Sequence, residues 1–119
     1  MKKNITAILI NSKDKTITEV PFDGENSTIY RLCGFDIFTC CDIGKRDAIF
    51  VDDEGLLKPQ ENFFRHADYP TPLAGNGMII GCTPSGNSAA PKTTLAEVKS
   101  KVTFMNIAEA HRYAVANNV

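Results

Sequence analysis

The 119-residue chain lacks three features that would place it in a functional class at once. The first is a charge excess: 13 Lys+Arg stand against 14 Asp+Glu, for a net charge of -1. Balanced charge argues against a basic arm for nucleic acid and against an acidic mimic of DNA. Lys2, Lys3, Lys13 and Lys15 gather near the first hairpin, but the rest of the chain offsets them, so nucleic acid is not an expected partner. The second is a long apolar run. The longest stretch near the start, residues 5–10, is broken by Thr6. A secretory signal needs an apolar core of about 7–15 residues, and a membrane-crossing helix needs about 20. A cytoplasmic protein with no membrane partner is therefore expected. The third is a metal-binding or redox spacing of cysteines. Cys33, Cys40, Cys41 and Cys82 contain no C-x-x-C pair and no zinc-finger spacing. Reduced thiols packed as small hydrophobes are expected, with no metal and no cofactor.

What is present is ordinary for a globular domain. Ile, Leu, Val and Phe total 30 of 119 residues, too many for a disordered tail. One domain of this length buries roughly two thirds of the surface of its unfolded chain, enough for a core without staples. Residues 5–10 and 16–22 read as strands of a hairpin across a polar five-residue turn. Ile29, Leu32 and Cys33 have helical spacing, ended by Gly34. Residues 35–43 and 48–51 read as a second hairpin across Gly44-Lys45-Arg46-Asp47. Adjacent Cys40 and Cys41 on a strand point to opposite faces, one inward and one outward.

Residues 58–72 carry Phe63, Phe64, Tyr69 and three prolines, and read as a loop pinned by aromatics with one helical turn near 60–64. Met78 to Cys82 reads as a last core strand. Residues 84–93 have no large apolar side chain and read as a flexible connector between a sheet region, 1–83, and a helical appendage, 94–119, packed on the same single domain. Within the appendage, Thr94 and Glu97 form a capping-box pattern, residues 102–105 are strand-like, and Asn106 and Glu109 repeat the cap before a final helix. The core is expected at Ile8, Ile10, Ile37, Ile49, Val51, Leu56, Phe63, Met78 and Ile80. The fold class is α+β: one antiparallel or mixed sheet of five or six strands with two or three short helices.

The string Val51-Asp52-Asp53-Glu54-Gly55-Leu56-Leu57-Lys58, then Asn62-Phe63-Phe64-Arg65, then Pro72-Leu73-Ala74-Gly75-Asn76-Gly77 before an apolar strand resembles a family of small proteins of unknown function from bacteriophages, plasmids and their bacterial hosts. The resemblance covers roughly residues 4–82. It implies mobile-element biology in a bacterial host cell and supplies no catalytic residues.

Three groups of residues could carry chemistry. Asp52-Asp53-Glu54 is the densest acidic cluster, and paired carboxylates can hold a divalent cation or divide acid and base roles. Its register does not fit an EF-hand loop, and a strand-ending turn is the competing reading. Gly75-Asn76-Gly77 could let backbone amides approach an anion. A strand follows it, however, where phosphate loops are followed by a helix, so a tight turn competes. Arg65, His66 and Tyr69 could read a phosphate or shuttle a proton, or simply pack the loop. His111 on the last helix reads as a surface residue. The leading expectation is a non-enzymatic binding protein acting on a host protein or a small ligand, through Asp52, Asp53, Arg65, His66, Tyr69 and Asn76. The alternative is an enzyme or nucleotide-binding domain in which the Asp52/Asp53, Arg65/His66 and Gly75–Gly77 segments converge. A structural subunit, which would be oligomeric, is a third.

Overall fold

The computed structural model describes residues 4–34, 38–52 and 61–117. Asp53, Ile37 and Leu56, named above, lie outside them. The first hairpin forms as expected: β1 (Ile5–Asn11) pairs with β2 (Thr16–Phe22) in unbroken antiparallel register from Ile5–Phe22 to Asn11–Thr16. Asn11 fixes the turn, its Oδ1 accepting from the Asp14 amide at 3.0 Å. Helix α1 (Asn26–Cys33) follows, and Gly34, at φ 80, ends it by donating its amide to the Tyr30 carbonyl. Asp23 braces the entry to α1, accepting from the Glu25 amide and the Thr28 hydroxyl.

The second hairpin joins β3 (Phe38–Gly44) to β4 (Asp47–Asp52). Lys45 and Arg46 both have positive φ, 55 and 63. Two such residues make the primed turn whose twist matches a right-handed hairpin. The central strand is β7 (Gly77–Cys82), flanked by β1 and β4 and antiparallel to both. A strand covered on both faces needs no alternation, which explains the continuous run Met78-Ile79-Ile80. With β8 (Ser88–Ala89) paired to the end of β7, the order β2-β1-β7-β4-β3 completes a six-stranded sheet.

The α+β class is as expected, with three helices among the described residues, but a second sheet accompanies the first. β5 (Asn62–His66) lies between β6 (Leu73–Ala74) and β9 (Val102–Asn106), antiparallel to each. The expected loop and helical turn at 60–64 are thus replaced by the centre of a small sheet. Phe64 and His66 turn toward the large sheet and Phe63 toward helix α3 (Ile107–Asn117). Both faces of β5 are covered, so its sequence shows no period of two.

Three apolar layers hold these elements. Ala7, Phe22, Ile29, Cys33, Met78 and Ile80 lie between α1 and the large sheet. Ile8, Ile10, Cys41, Ile49, Val51, Phe64, Leu73 and Ile79 fill the space between the sheets, with Val98 of α2 (Leu95–Lys101). Phe63, Ala74 and Ala110 form the smallest layer, beneath α3. Of the adjacent cysteines, Cys41 is the buried one and Cys40 the exposed one. Both expected capping boxes form: Thr94 with Glu97, and Asn106 with Glu109.

The expected connector at 84–93 is a tethered segment. Asp47, 2% exposed, accepts from the backbone amides of Lys92 and Thr93 at 2.9–3.0 Å. The strand passes so close to β7 that a Cβ on Gly81 would sit 2.7 Å from the Ala90 oxygen. These are polar bonds between residues some 45 apart in sequence, which apolar patterning does not reveal.

Two substitutions test this packing. A Cβ at residue 77 would lie 2.8 Å from the Phe64 ring and 2.9 Å from Ile49. Overpacking of this kind costs about 1–3 kcal/mol, so Gly77→Ala should lower the urea-unfolding free energy by about 2 kcal/mol. Asp47→Ala leaves the partly buried Lys92 and Thr93 amides without their acceptor, at about 1–3 kcal/mol. It should also raise amide exchange and protease cleavage within residues 88–93 well before the rest of the chain.

Candidate functional site

The proposed ligand-contacting residues separate into distinct places. Asp52 and Asn76 share a cleft of about 320 Å³, lined also by Ser12, Lys13, Cys33, Gly34, Asn62, Ala74 and Gly75. It forms where the C-terminal ends of β1, α1 and β4 meet the loop between β6 and β7. Asn76 works chiefly as a brace. Its Oδ1 accepts from the Ser12 amide at 3.0 Å and its Nδ2 donates to the Cys33 carbonyl at 3.3 Å. The Ser12 hydroxyl donates to the Gly75 carbonyl, and the Gly75 amide to the Asn62 carbonyl at 2.9 Å. Gly75, at φ 77, makes the turn. The Gly75–Gly77 segment is therefore the tight turn of the structural reading, and its amides and carbonyls knit the cleft walls. Lys13 and Asp52 supply opposite charges at its rim.

His66 lies elsewhere. It is 1% exposed, and its Nδ1 accepts from the Asp68 amide at 3.1 Å. That bond assigns the neutral ring's proton to Nε2, and Nε2 is buried without a partner among the described residues. Burial holds the imidazole below its ordinary pKa, against the pull of Asp68. The cavity beside it is about 40 Å³, shared with Ile43, Asp47, Thr93 and Glu97. That is room for a water or two, far below the ~300 Å³ of an ordinary ligand site. Asp68 itself is paired with Lys101 at 2.6 Å, which lowers its carboxyl pKa and raises that of the lysine.

Arg65 takes the opposite face of β5. Its guanidinium carbon sits 4.8 Å from the centre of the Tyr113 ring, a cation–π contact that ties α3 to the small sheet. Tyr69 is half-buried, with its hydroxyl hydrogen-bonded to the Cys41 thiol, which raises the tyrosine pKa. Burial raises the Cys41 and Cys40 thiols and pushes Cys33 up to about 12. These three are protonated thiols at neutral pH, the reverse of the lowered pKa a nucleophilic cysteine needs.

Of the three segments, Asp52 and the Gly75-Asn76 turn meet in the cleft, whereas His66 lines a different cavity. Asp47, beside the His66 cavity, and Asp52, in the cleft, occupy opposite ends of β4. Five steps of about 3.3 Å put them roughly 16 Å apart, beyond direct or one-water proton transfer. Arg65 and His66, adjacent in sequence, face opposite sides of the sheet. The cleft residues that sequence reading missed, Ser12, Lys13, Cys33 and Asn62, arrive from strand and helix ends. The Ser12–Asn76 contact spans 64 residues, and no spacing rule foretells it. Among the described residues no group of three His, Cys, Asp or Glu could hold a metal ion, and no helix is long and apolar enough to cross a membrane.

The buried imidazole carries a pH dependence with a definite sign. The unfolded ring titrates near 6.5 and the folded ring lower, so the unfolded state binds more protons as pH falls through that range. His66 stabilises the fold fully above pH 6.5, and its contribution is lost as the pH falls below it. The urea midpoint of the wild type should drop between pH 7 and pH 5, whereas His66→Gln should show a flatter profile over that interval.

Compared with protein-family models, curated proteins and solved structures, the chain has no match.

Proposed function

We propose that the protein is a non-enzymatic binding module of phage or plasmid type, which engages a host factor or a small ligand through the cleft at Ser12, Lys13, Asp52, Asn62 and Asn76. The carrying observation is the cleft itself: about 320 Å³, walled by side chains and backbone from both sheets and α1, with Lys13 and Asp52 as its charged lining residues among those described. Its walls are cross-braced by Asn76 and Ser12, so it is preorganised, and a ligand need not order it on binding. The groups suited to proton transfer or nucleophilic attack are engaged elsewhere: His66 in its small cavity, Arg65 against Tyr113, and Cys41 against Tyr69. These placements favour binding over catalysis. The resemblance of the VDDEGLL, NFFR and PLAGNG segments to small phage and plasmid proteins supports the setting.

Thermal shift against a panel of nucleotides, amino acids and short peptides tests the cleft. A ligand at about 100 times its Kd adds about 2.7 kcal/mol to stability, a rise of roughly 10 °C in Tm for a domain this size. Lys13→Glu should abolish that rise while leaving the ligand-free Tm within about 2 °C. No response from any panel member, together with identical captures from host lysate by wild type and Lys13→Glu, would overturn the reading.

A further inference from the structure

A second surface has the geometry to accept an added strand. β9 is an edge of the small sheet among the described residues, and the order β6-β5-β9 leaves its outer side without a strand from them. The direction of each backbone group on that side follows from the register. One step beyond the β5–β9 ladder, the Ala67 amide donates to the Lys101 carbonyl at 3.1 Å. Antiparallel partners alternate between mutually bonded and unbonded pairs. Arg65–Thr103 and Phe63–Met105 are therefore bonded pairs, while Val102, Phe104 and Asn106 turn their amides and carbonyls outward. Two of these amides are already taken: Val102 donates to the Val98 carbonyl and Asn106 to the Glu109 carboxylate. The Phe104 amide, the Phe104 carbonyl and the Val102 carbonyl are left facing out, with no partner among the described residues.

Next to this edge runs a groove of about 570 Å³ between β9 and β2, itself the edge of the large sheet. Its apolar floor is Ile17, Val102 and Phe104, and Lys15, Thr16, Thr18 and Lys99 complete it. All three apolar side chains are only partly buried and belong to the rim of the inter-sheet core. The ammonium groups of Lys15 and Lys99 are exposed and have no ion-pair partner among the described residues. The other charges nearby are largely engaged: Asp14 with Asn11, Glu97 in the Thr94 cap, and Lys101 with Asp68. Glu19, two residues along β2 from Ile17, is the one exposed carboxylate on the same strand.

We propose that this groove binds an extended, acidic segment of a partner protein, which adds to β9 as an antiparallel strand and sets its carboxylates against Lys15 and Lys99. The segment residue opposite Phe104 exchanges two hydrogen bonds with it, and a third reaches the Val102 carbonyl. Alternate apolar side chains of the segment fall onto Ile17 and Phe104, as in other cases of strand addition. A second copy of this chain is the less favourable occupant, since edge-to-edge pairing would bring the lysines of the two copies together, and edge lysines oppose such pairing. The proposal does not depend on the cleft.

The test uses the intact protein and a labelled eight-residue peptide with valine at alternate positions and glutamate between. Controls are its lysine-for-glutamate and threonine-for-glutamate counterparts, and a glutamate version N-methylated at its central residues. Fluorescence anisotropy should show the glutamate peptide binding at least tenfold more tightly than the threonine one, with no binding of the lysine or N-methylated peptides. Lys15→Glu/Lys99→Glu, which changes only exposed side chains, should invert the charge preference. Hydrogen exchange should show new protection at the Phe104 amide and none around Ser12 or Asn76. Equal binding of all three charge versions overturns the acidic partner. Binding of the N-methylated peptide, or failure of every peptide to bind, overturns strand addition. A dimer in peptide-free solution with the Phe104 amide already protected would assign the edge to a second copy instead.

Discussion

The ring of Phe64 occupies the space that a side chain at residue 77 would need. That contact brings the small sheet against the central strand of the large one, and much of the molecule is arranged around it. Phe64 sits at the middle of β5 and Gly77 at the start of β7, so their approach fixes where the two sheets cross. Ile49 meets the same point from β4. The cleft and the β2–β9 groove are both margins of this inter-sheet contact: one lies where strand ends converge, the other where the two edge strands fail to close. A residue with any Cβ at position 77 would wedge the sheets apart and alter both margins together.

The parts of this fold that were legible in the sequence are those governed by neighbours within a few residues. The first hairpin, the helix stopped by Gly34, the second hairpin and the two capping boxes each depend on local hydrogen bonds or on a period of two. The parts that were not legible depend on what covers a strand. β5 is buried on both sides, so Asn62-Phe63-Phe64-Arg65-His66 shows aromatic density without alternation and reads as a loop. β8 and the segment after it contain only small and polar residues. Their place is set by a carboxylate, Asp47, that a sequence reader assigns to a turn. The two hairpins of the large sheet and the fold class follow from local reading; the central place of β7 and the whole second sheet require pairings between distant residues, such as Ile8 with Ile79 and Phe64 with Phe104.

The same limit applies to the candidate site. Asp52 and Asn76 do lie in one cleft, but their companions Ser12, Lys13 and Asn62 come from distant segments. Arg65, His66 and Tyr69 looked like one polar loop, yet strand geometry sends Arg65 and His66 to opposite faces, and a turn closed by the Tyr69 amide on the His66 carbonyl carries Tyr69 back toward Cys41. Adjacency in sequence gave the wrong grouping because a strand separates neighbours that a helix or loop could hold together.

Helix α2, strand β9 and helix α3 occupy residues 95–117 with no residue between one element and the next. In most small domains the connections absorb insertions and deletions, since loops can lengthen at little cost. Here the chain has no such reserve. One inserted residue in this stretch would turn α3 about 100° relative to β9, or swap the inward and outward faces of β9 itself. Length variation in relatives of this protein should therefore spare residues 95–117, which should be inherited as a block of fixed length.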